Sequence, residues 1–347
     1  MRRSKKKLRA GVIGTGMGRY HMEGYLSHPK CELAAVCDIN LERARALAAE
    51  YGAEHVFRDY RDLLAMEELD IVSVAVPTYL HARMTIAALG AGKHVLCEKP
   101  MATKLADAEA MVRAAKRAKR RLMINMSYRF SPLQQEMHRR IESGELGGIY
   151  YAKSHYTRRN GIPLGANSWF VRKRAAGGGA SLDLGVHAFD LVWWLMGCPK
   201  PAWVLGGVYS EILPARAAQL GVEGDVDDLA AAMVRLRTGQ VIFFEASWDG
   251  HQPGHEGYEI YGTKGGVSCR DWERELKMTL HSEDSRGRGV DRPVKARGKS
   301  VNACRHFVDA CLDRRKKMIA SGEECLTVAR VLDAMNQSQK TGKPVAL

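Results

Sequence analysis

No apolar run in this chain reaches the ~18 residues that a membrane-crossing helix requires, so no membrane partner is expected. The basic opening, Met1-Arg2-Arg3-Ser4-Lys5-Lys6-Lys7, passes straight into a strand-like run without the apolar core of a signal peptide. An export signal, twin-arginine included, is therefore not expected, and the chain reads as cytoplasmic. The eight cysteines (31, 37, 97, 198, 269, 304, 311 and 325) include no C-x-x-C pair. Several sit in apolar runs, which favours buried free thiols over disulfides or zinc. The histidines are scattered with no ligand-spaced pair, so no metal site is expected. Aromatic residues make up only 7% of the chain, which leaves few stacking platforms for bases.

Charge is the one unbalanced quantity, with a net +14. Clusters occur at Arg2–Arg9, at Arg113–Arg121 and at Arg314-Arg315-Lys316-Lys317. A polyanion surface and a solvated basic face both fit such clusters. No nucleic-acid motif accompanies them, so the solvated face is preferred and no nucleic-acid partner is expected. Attraction of an anionic substrate stays open.

The first 127 residues alternate between strand and helix. Strands are expected at 8–13, 32–37, 70–76, 93–97 and 122–126, and helices at 18–27, 41–51, 60–67, 79–90 and 104–119. This alternation predicts a doubly wound parallel sheet that binds ligands beyond its strand C-terminal ends. Gly14-Thr15-Gly16-Met17-Gly18 follows the first strand. Glycines there permit a tight turn and let backbone N–H groups approach a pyrophosphate at a helix N-terminus. The spacing is G-x-G-x-G, one residue shorter than the usual dinucleotide pattern, and Arg19 is a further candidate for a phosphate contact. Asp38 closes the second strand, where a carboxylate can accept from an adenosine ribose and would repel a 2′-phosphate. NAD is thus favoured over NADP. Pro77-Thr78 and Glu98-Lys99 fall at two more strand ends.

After Ser131-Pro132 the pattern changes. A helix at 132–143 precedes alternating strands at 149–156, 203–213, 229–236, 240–248, 258–261 and 276–281. A loop or flap is expected at 282–300, then helices near 301–319 and 325–341. The second half therefore reads as an α+β domain with an antiparallel sheet. The expected division is a domain over 1–127 and a second over 128–347. Within the second, Asp183 and His187 stand four apart, a spacing that shares one helix face. A lysine, a histidine and an aspartate that converge make a proton-transfer set for interconverting alcohol and ketone. A lysine partly desolvated beside a nicotinamide cation can act as acid and base near neutrality. Each residue also has a plainer reading. Lys99 suits a salt bridge or an exposed strand end, Asp183 a helix cap, and His187 a packing residue.

Taken in order, these motifs resemble the glucose–fructose oxidoreductase, inositol dehydrogenase and rhizopine-catabolism (Gfo/Idh/MocA) family. The resemblance spans Gly11-Val12-Ile13-Gly14-Thr15-Gly16 with His21, Pro77-Thr78-Tyr79-Leu80-His81, Glu98-Lys99-Pro100 and Tyr128-Arg129-Phe130. It continues through Gly177-Gly178-Gly179 to Asp183 and His187, Gly262-Thr263-Lys264-Gly265-Gly266 and Thr341-Gly342-Lys343-Pro344-Val345. It implies an N-terminal Rossmann domain that binds NAD, and a C-terminal substrate domain with a large, mainly antiparallel open sheet. That sheet would mediate a homo-oligomer, a dimer or tetramer. The resemblance also implies a catalytic Lys99 working with Asp183 and His187. Cofactor contacts are expected from Gly14, Thr15, Gly16, Met17, Gly18, Asp38, Pro77, Thr78, His81, Glu98 and Lys99. Tyr128, Arg129, Trp169 and Arg172 would line the substrate beside Lys99, Asp183 and His187. The expected activity is NAD-dependent hydride transfer on a secondary alcohol or ketone of a sugar, polyol or related small molecule. A redox-assisted glycoside-cleaving enzyme and a non-catalytic dinucleotide sensor are the alternatives. Specificity is expected in the loops 157–176, 210–228 and 249–257.

Overall fold

A computed structural model of the chain describes residues 7–165, 169–270, 276–296 and 302–347. Residues 2–6 of the basic opening, 166–168 of the loop 157–176, 297–300 of the expected flap and residue 301 of the expected helix lie outside the described residues. The chain divides into two compact units, Met1–Ser127 with Val301–Leu326, and Tyr128–Ser300 with Thr327–Leu347.

In the first unit the strands are β1 (Leu8–Ile13), β2 (Cys31–Cys37), β3 (His55–Phe57), β4 (Ile71–Val74), β5 (His94–Cys97) and β6 (Leu122–Ile124). They pair in parallel in the order β3-β2-β1-β4-β5-β6, the doubly wound order of dinucleotide-binding sheets. Helices α1 (Gly18–Leu26), α2 (Leu41–Tyr51), α3 (Tyr60–Leu64), α4 (His81–Gly90) and α5 (Leu105–Ala118) connect them. Strands β4 and β5 are buried almost throughout, as their continuous apolar runs require of a sheet covered on both faces. Local signals set the helix ends. Asn40 caps α2 by accepting from the Arg43 N–H at 3.0 Å, and Gly52 closes it in the left-handed region at φ 71°. The later helix Ala303–Leu312 also belongs to this unit, whereas a boundary at 127/128 assigns it to the second. Its physical tie is close packing on α1: a Cβ at Gly24 would lie 2.7 Å from that of Cys304, and His28 reaches Asp309 at 3.1 Å.

The second unit begins at Tyr128, inside the 3-10 turn Ser127–Phe130, continues with α6 (Pro132–Glu142) and holds a nine-stranded mixed sheet. Its strands are β7 (Ile149–Thr157), β8 (Pro201–Tyr209), β9 (Leu229–Leu236), β10 (Val241–Ser247), β11 (His255–Gly262), β12 (Gly266–Arg270), β13 (Lys277–Glu283), β14 (Gly289–Pro293) and β15 (Val345–Ala346). Within this sheet, among the described residues, only β7 and β10 pair in parallel; every other pair is antiparallel. Helices α7 (Lys173–Ala176), α8 (Val186–Leu195) and α9 (Leu213–Gln219) accompany the sheet. Alternation along β9 and β10 buries Ala230, Ala232, Val234, Ile242, Phe244 and Ala246, and Phe244 packs 5.5 Å from Phe189 of α8. All ten residues of α8 are buried, eight of them apolar, with His187 and Asp190 the exceptions.

The fold corrects several expected elements. The run 203–213 is not one strand: β8 ends at Tyr209, and Leu213-Pro214 opens α9 with proline in its first turn. The stretch expected as a flap contributes β14, an exposed edge strand paired with β13. All eight cysteines are free thiols and six are buried.

Candidate active site

On the first unit the expected cofactor residues gather at one sheet edge. The turn after β1 depends on Gly14, at φ 91°, where a Cβ would lie 2.2 Å from the Ala75 carbonyl oxygen. At Gly18 a Cβ would press to 2.8 Å of Val12, so this glycine lets α1 seat against β1. Around the apex, Gly16, a Cβ would meet nothing within 4 Å. No side chain caps the start of α1. A tight turn, an open apex and a helix start without a side-chain cap together fit a dinucleotide pyrophosphate.

Asp38, 7% exposed, holds this turn to the second strand. Its Oδ2 accepts from the Thr15 N–H at 2.8 Å and the Thr15 hydroxyl at 2.5 Å, and its Oδ1 from the Asn40 N–H at 2.9 Å. Arg43, which the motif spacing did not single out, donates to Asp38 Oδ2 at 2.9 Å and to Thr15 Oγ1 at 2.6 Å. Burial pushes the Asp38 carboxyl up, but these hydrogen bonds outweigh burial and hold it below its ordinary value. Arg19 is corrected: it turns to Tyr51, Glu50 and Glu23, not to the glycine loop.

Two expected cofactor contacts carry structural duties instead. His81 is 1% exposed, with Nδ1 2.8 Å from the Pro100 carbonyl and Nε2 2.8 Å from the Val76 carbonyl. Both ring nitrogens are thus spent on backbone, and His81 ties the loop after β4 to the loop after β5. Burial pushes its pKa down. Pro77 and the buried Thr78 open the 3-10 turn on this loop. Glu98 is likewise committed: Oε1 meets His21 Nε2 at 2.8 Å and accepts from Asn125 Nδ2 at 2.6 Å, and Oε2 accepts from the Lys99 N–H at 3.2 Å. Burial raises the Glu98 carboxyl, but His21, Asn125 and the Lys99 charge bring it down to about 2. Lys99 stands two residues past the end of β5.

On the second unit Asp183 lies in a π-helical turn, Ser181–Gly185, that runs into α8, with His187 in the first turn of that helix. Asp183 therefore does not cap a helix. Its Oδ2 accepts from Trp248 Nε1 at 3.0 Å. Asp227 anchors the turn by accepting from the Gly179 N–H at 2.8 Å, the Ser181 N–H at 2.7 Å and the Ser181 hydroxyl at 2.9 Å. A Cβ at Gly179 would overlap the Asp227 carbonyl oxygen at 1.7 Å, so that residue must be glycine. His187, 7% exposed, stands edge-on to the Tyr128 ring at 4.6 Å. The Tyr128 hydroxyl lies 3.1 Å from that of Tyr156, to which Arg158 donates at 2.8 Å. These contacts thus pair Asp183 with Trp248, and link His187 through Tyr128 to Tyr156 and Arg158.

Arg129 is a correction. It is 0% exposed and forms a bidentate pair with buried Asp190, at 2.9 and 2.7 Å, beside the rings of Trp193 and Trp194. A side chain sealed in this way does not line a substrate. Trp169 stacks on Phe170 at 4.0 Å, and Arg172 is exposed just before α7.

Comparison with known proteins agrees with this geometry. The model of the oxidoreductase family with an NAD-binding Rossmann fold, Gfo/Idh/MocA, matches residues 8–126, and the Gfo/Idh/MocA C-terminal domain matches residues 134–268. D-glucoside 3-dehydrogenase of Escherichia coli (strain K12) is 28% identical over 98% of this chain and 97% of its own. Levoglucosan dehydrogenase of Pseudarthrobacter phenanthrenivorans is 30% identical over 82% of this chain and 79% of its own. A solved structure of levoglucosan dehydrogenase in complex with NADH and levoglucosan superposes with a TM-score of 0.85, at 26% identity, covering 98% of this chain and 99% of that one. With both family domains matched in order on a fold that carries the dinucleotide turn, the chain belongs to the Gfo/Idh/MocA family of NAD-binding oxidoreductases.

Proposed function

We propose that the chain moves a hydride between nicotinamide and a secondary alcohol or ketone carbon of a sugar, polyol or related hydroxylated small molecule. The observation that carries this reading is the single strand-end edge that holds the glycine turn, Asp38 and Lys99. The relatives named above as sugar dehydrogenases support the substrate class. Gly14, Thr15, Gly16, Met17 and Gly18 would hold the pyrophosphate, Asp38 the adenosine ribose, and the Pro77-Thr78 loop the approach to nicotinamide. Bound NAD supplies the hydride acceptor, and NADH the donor in reverse. The chain's own part is the proton. As the alcohol is oxidised, the neutral Lys99 amine takes the hydroxyl proton; on reduction the ammonium returns it to the alkoxide oxygen. Of the remaining two residues of the set, His187 would act on a neighbouring hydroxyl and Asp183 as its orienting carboxylate. Tyr128, Trp169 and Arg172 would contact the rest of the substrate.

The second unit also supports self-association. Leu205, Tyr209, Phe243 and Tyr261 stand on the sheet with 36 to 46% of their surface exposed. Such an apolar set on an open sheet face fits a homo-oligomer, a dimer or tetramer.

Mixing the protein with NAD and a panel of sugars, polyols and sugar phosphates tests the activity through the near-ultraviolet absorbance of reduced nicotinamide. Reduction of NAD by a sugar or polyol supports the reading. Tight NAD binding without turnover across the panel would refute it in favour of a sensor. Glycoside release without net NADH would instead show redox-assisted cleavage.

A further inference from the structure

A buried polar chain lies behind Glu98 that the proposed chemistry does not use. Tyr25 and His21 stand one turn apart on α1, Ser73 lies in β4, and Asn125 follows β6. The Tyr25 hydroxyl is 2.6 Å from Ser73 Oγ, Ser73 Oγ is 2.8 Å from His21 Nδ1, and His21 Nε2 is 2.8 Å from Glu98 Oε1. Tyr25 and Ser73 are 0% exposed, His21 1% and Glu98 7%. An ionised carboxylate only accepts, so His21 Nε2 carries a proton. In the tautomer that protonates Nε2 alone, Nδ1 accepts from Ser73, and Ser73 in turn accepts from Tyr25. Every O–H and N–H in this arrangement runs toward Glu98.

Resting on the reading that Lys99 carries the proton, we propose that His21 is a positioning residue of the reaction. Its Nε2–H keeps Glu98 a fixed anion, and Glu98, by accepting the Lys99 N–H, holds the backbone on which the proton carrier is mounted. The charged and titratable groups around Glu98 are few. Cys97 at the end of β5 and Lys99 flank it in the chain, His21 comes from α1, His81 from α4, and Cys304 from the helix Ala303–Leu312, with the neutral Asn125 beyond β6. Burial pushes the Cys97 thiol up to about 12 and raises that of Cys304 as well, so neither supplies charge at working pH. His21, Asn125 and Lys99 favour the anion against burial. Without the imidazole, the carboxyl rises toward the range in which enzymes are assayed.

Two substitutions separate positioning from bulk. In His21→Gln the side-chain amide nitrogen reaches about as far as Nε2 and can still donate to Glu98. In His21→Asn it reaches only about as far as Nδ1, so Ser73 is served and Glu98 is not. The expected results are a kcat loss in His21→Asn of roughly 10- to 100-fold, the range for removing a supporting hydrogen-bond partner, and a new acid limb in its pH profile. His21→Gln restores most of kcat and shows no such limb. NAD affinity by calorimetry stays within ~3-fold of wild type in both, since neither change touches the glycine turn or Asp38. Infrared titration should show a protonated carboxyl band near neutrality in His21→Asn that vanishes in His21→Asn/Glu98→Gln.

Equal behaviour of the two variants, with a wild-type pH profile and no carboxyl band, would overturn the proposal. So would equal losses of thermal stability in both with the pH profile unmoved, the mark of a purely structural histidine. Lys99→Ala, assayed beside them, separates the two levels. Full activity in that variant removes the Lys99 reading and this inference with it. An inactive Lys99→Ala beside an unmoved His21→Asn profile removes this inference alone.

Discussion

The Arg129–Asp190 pair yields a quantitative expectation that also tests whether Arg129 touches substrate. Both side chains are sealed, at 0% and 2% exposure, and joined by two hydrogen bonds of 2.9 and 2.7 Å. In Asp190→Asn the guanidinium keeps its charge in a site closed to water. Breaking a buried pair from one side costs about 3–5 kcal/mol, because the surviving charge is left uncompensated. At roughly 2–4 °C per kcal/mol for a domain of this size, the melting temperature should fall by on the order of 10 °C. Arg129→Met should cost a comparable amount, because it strands the carboxylate and removes the cation beside Trp193 and Trp194 at 6.0 and 5.8 Å. The double variant Arg129→Met/Asp190→Leu removes both charges and should recover most of the loss. Thermal and urea unfolding followed by circular dichroism measure these differences. Substrate KM, read on the folded fraction, should not move. An Arg129→Met protein that melts like wild type but shows a raised KM would refute the buried-pair argument and return Arg129 to the substrate.

Further expectations follow from the same geometry. Gly14→Ala should lose NAD binding and stability together, because its Cβ meets the Ala75 carbonyl at 2.2 Å; Gly16→Ala, whose Cβ meets nothing, should weaken NAD binding in calorimetry while melting normally. Trp248→Phe removes the donor to Asp183 Oδ2; a lost hydrogen bond to a charged group is worth about 1.5–3 kcal/mol, so kcat should fall roughly 10- to 100-fold if Asp183 acts in the reaction. Acid should destabilise the fold well above carboxylate pH. Burial, with nearby cations adding to it, pushes His94, His155 and His306 down to about 4. The unfolded chain binds these protons near pH 6.5 and the fold does not. Stability is therefore full above about pH 6.5 and is lost as pH falls toward 4, which melting curves across that window will show.

Much of the first unit was legible because its signals are local. Asn40 and Gly52 bracket α2, the apolar runs of β4 and β5 end where ligand-facing loops begin, and a short glycine turn follows β1. Strand β3 escaped notice because His55-Val56-Phe57 is too short for a periodic pattern, and β14 because an exposed edge strand carries no apolar alternation. In the candidate site, motif spacing marked Lys99, Asp38, Asp183 and His187. Their supports were invisible because they arrive from far along the chain. Asp227 lies 48 residues from Gly179, Trp248 lies 65 from Asp183, and Glu98 lies 77 from His21. Arg129 misled for the same reason: its neighbour Tyr128 does face His187, while its own partner Asp190 sits 61 residues on.

The most direct test of the account compares wild type with Lys99→Ala in a single turnover of saturating NAD and the best sugar or polyol, with NAD affinity measured in parallel. The account predicts that NAD binds both proteins alike, while the rate of NADH formation falls by at least ~100-fold in the variant, the lower range for losing a general acid–base. NADH formation at the wild-type rate in Lys99→Ala would contradict it and move the proton transfer to another residue.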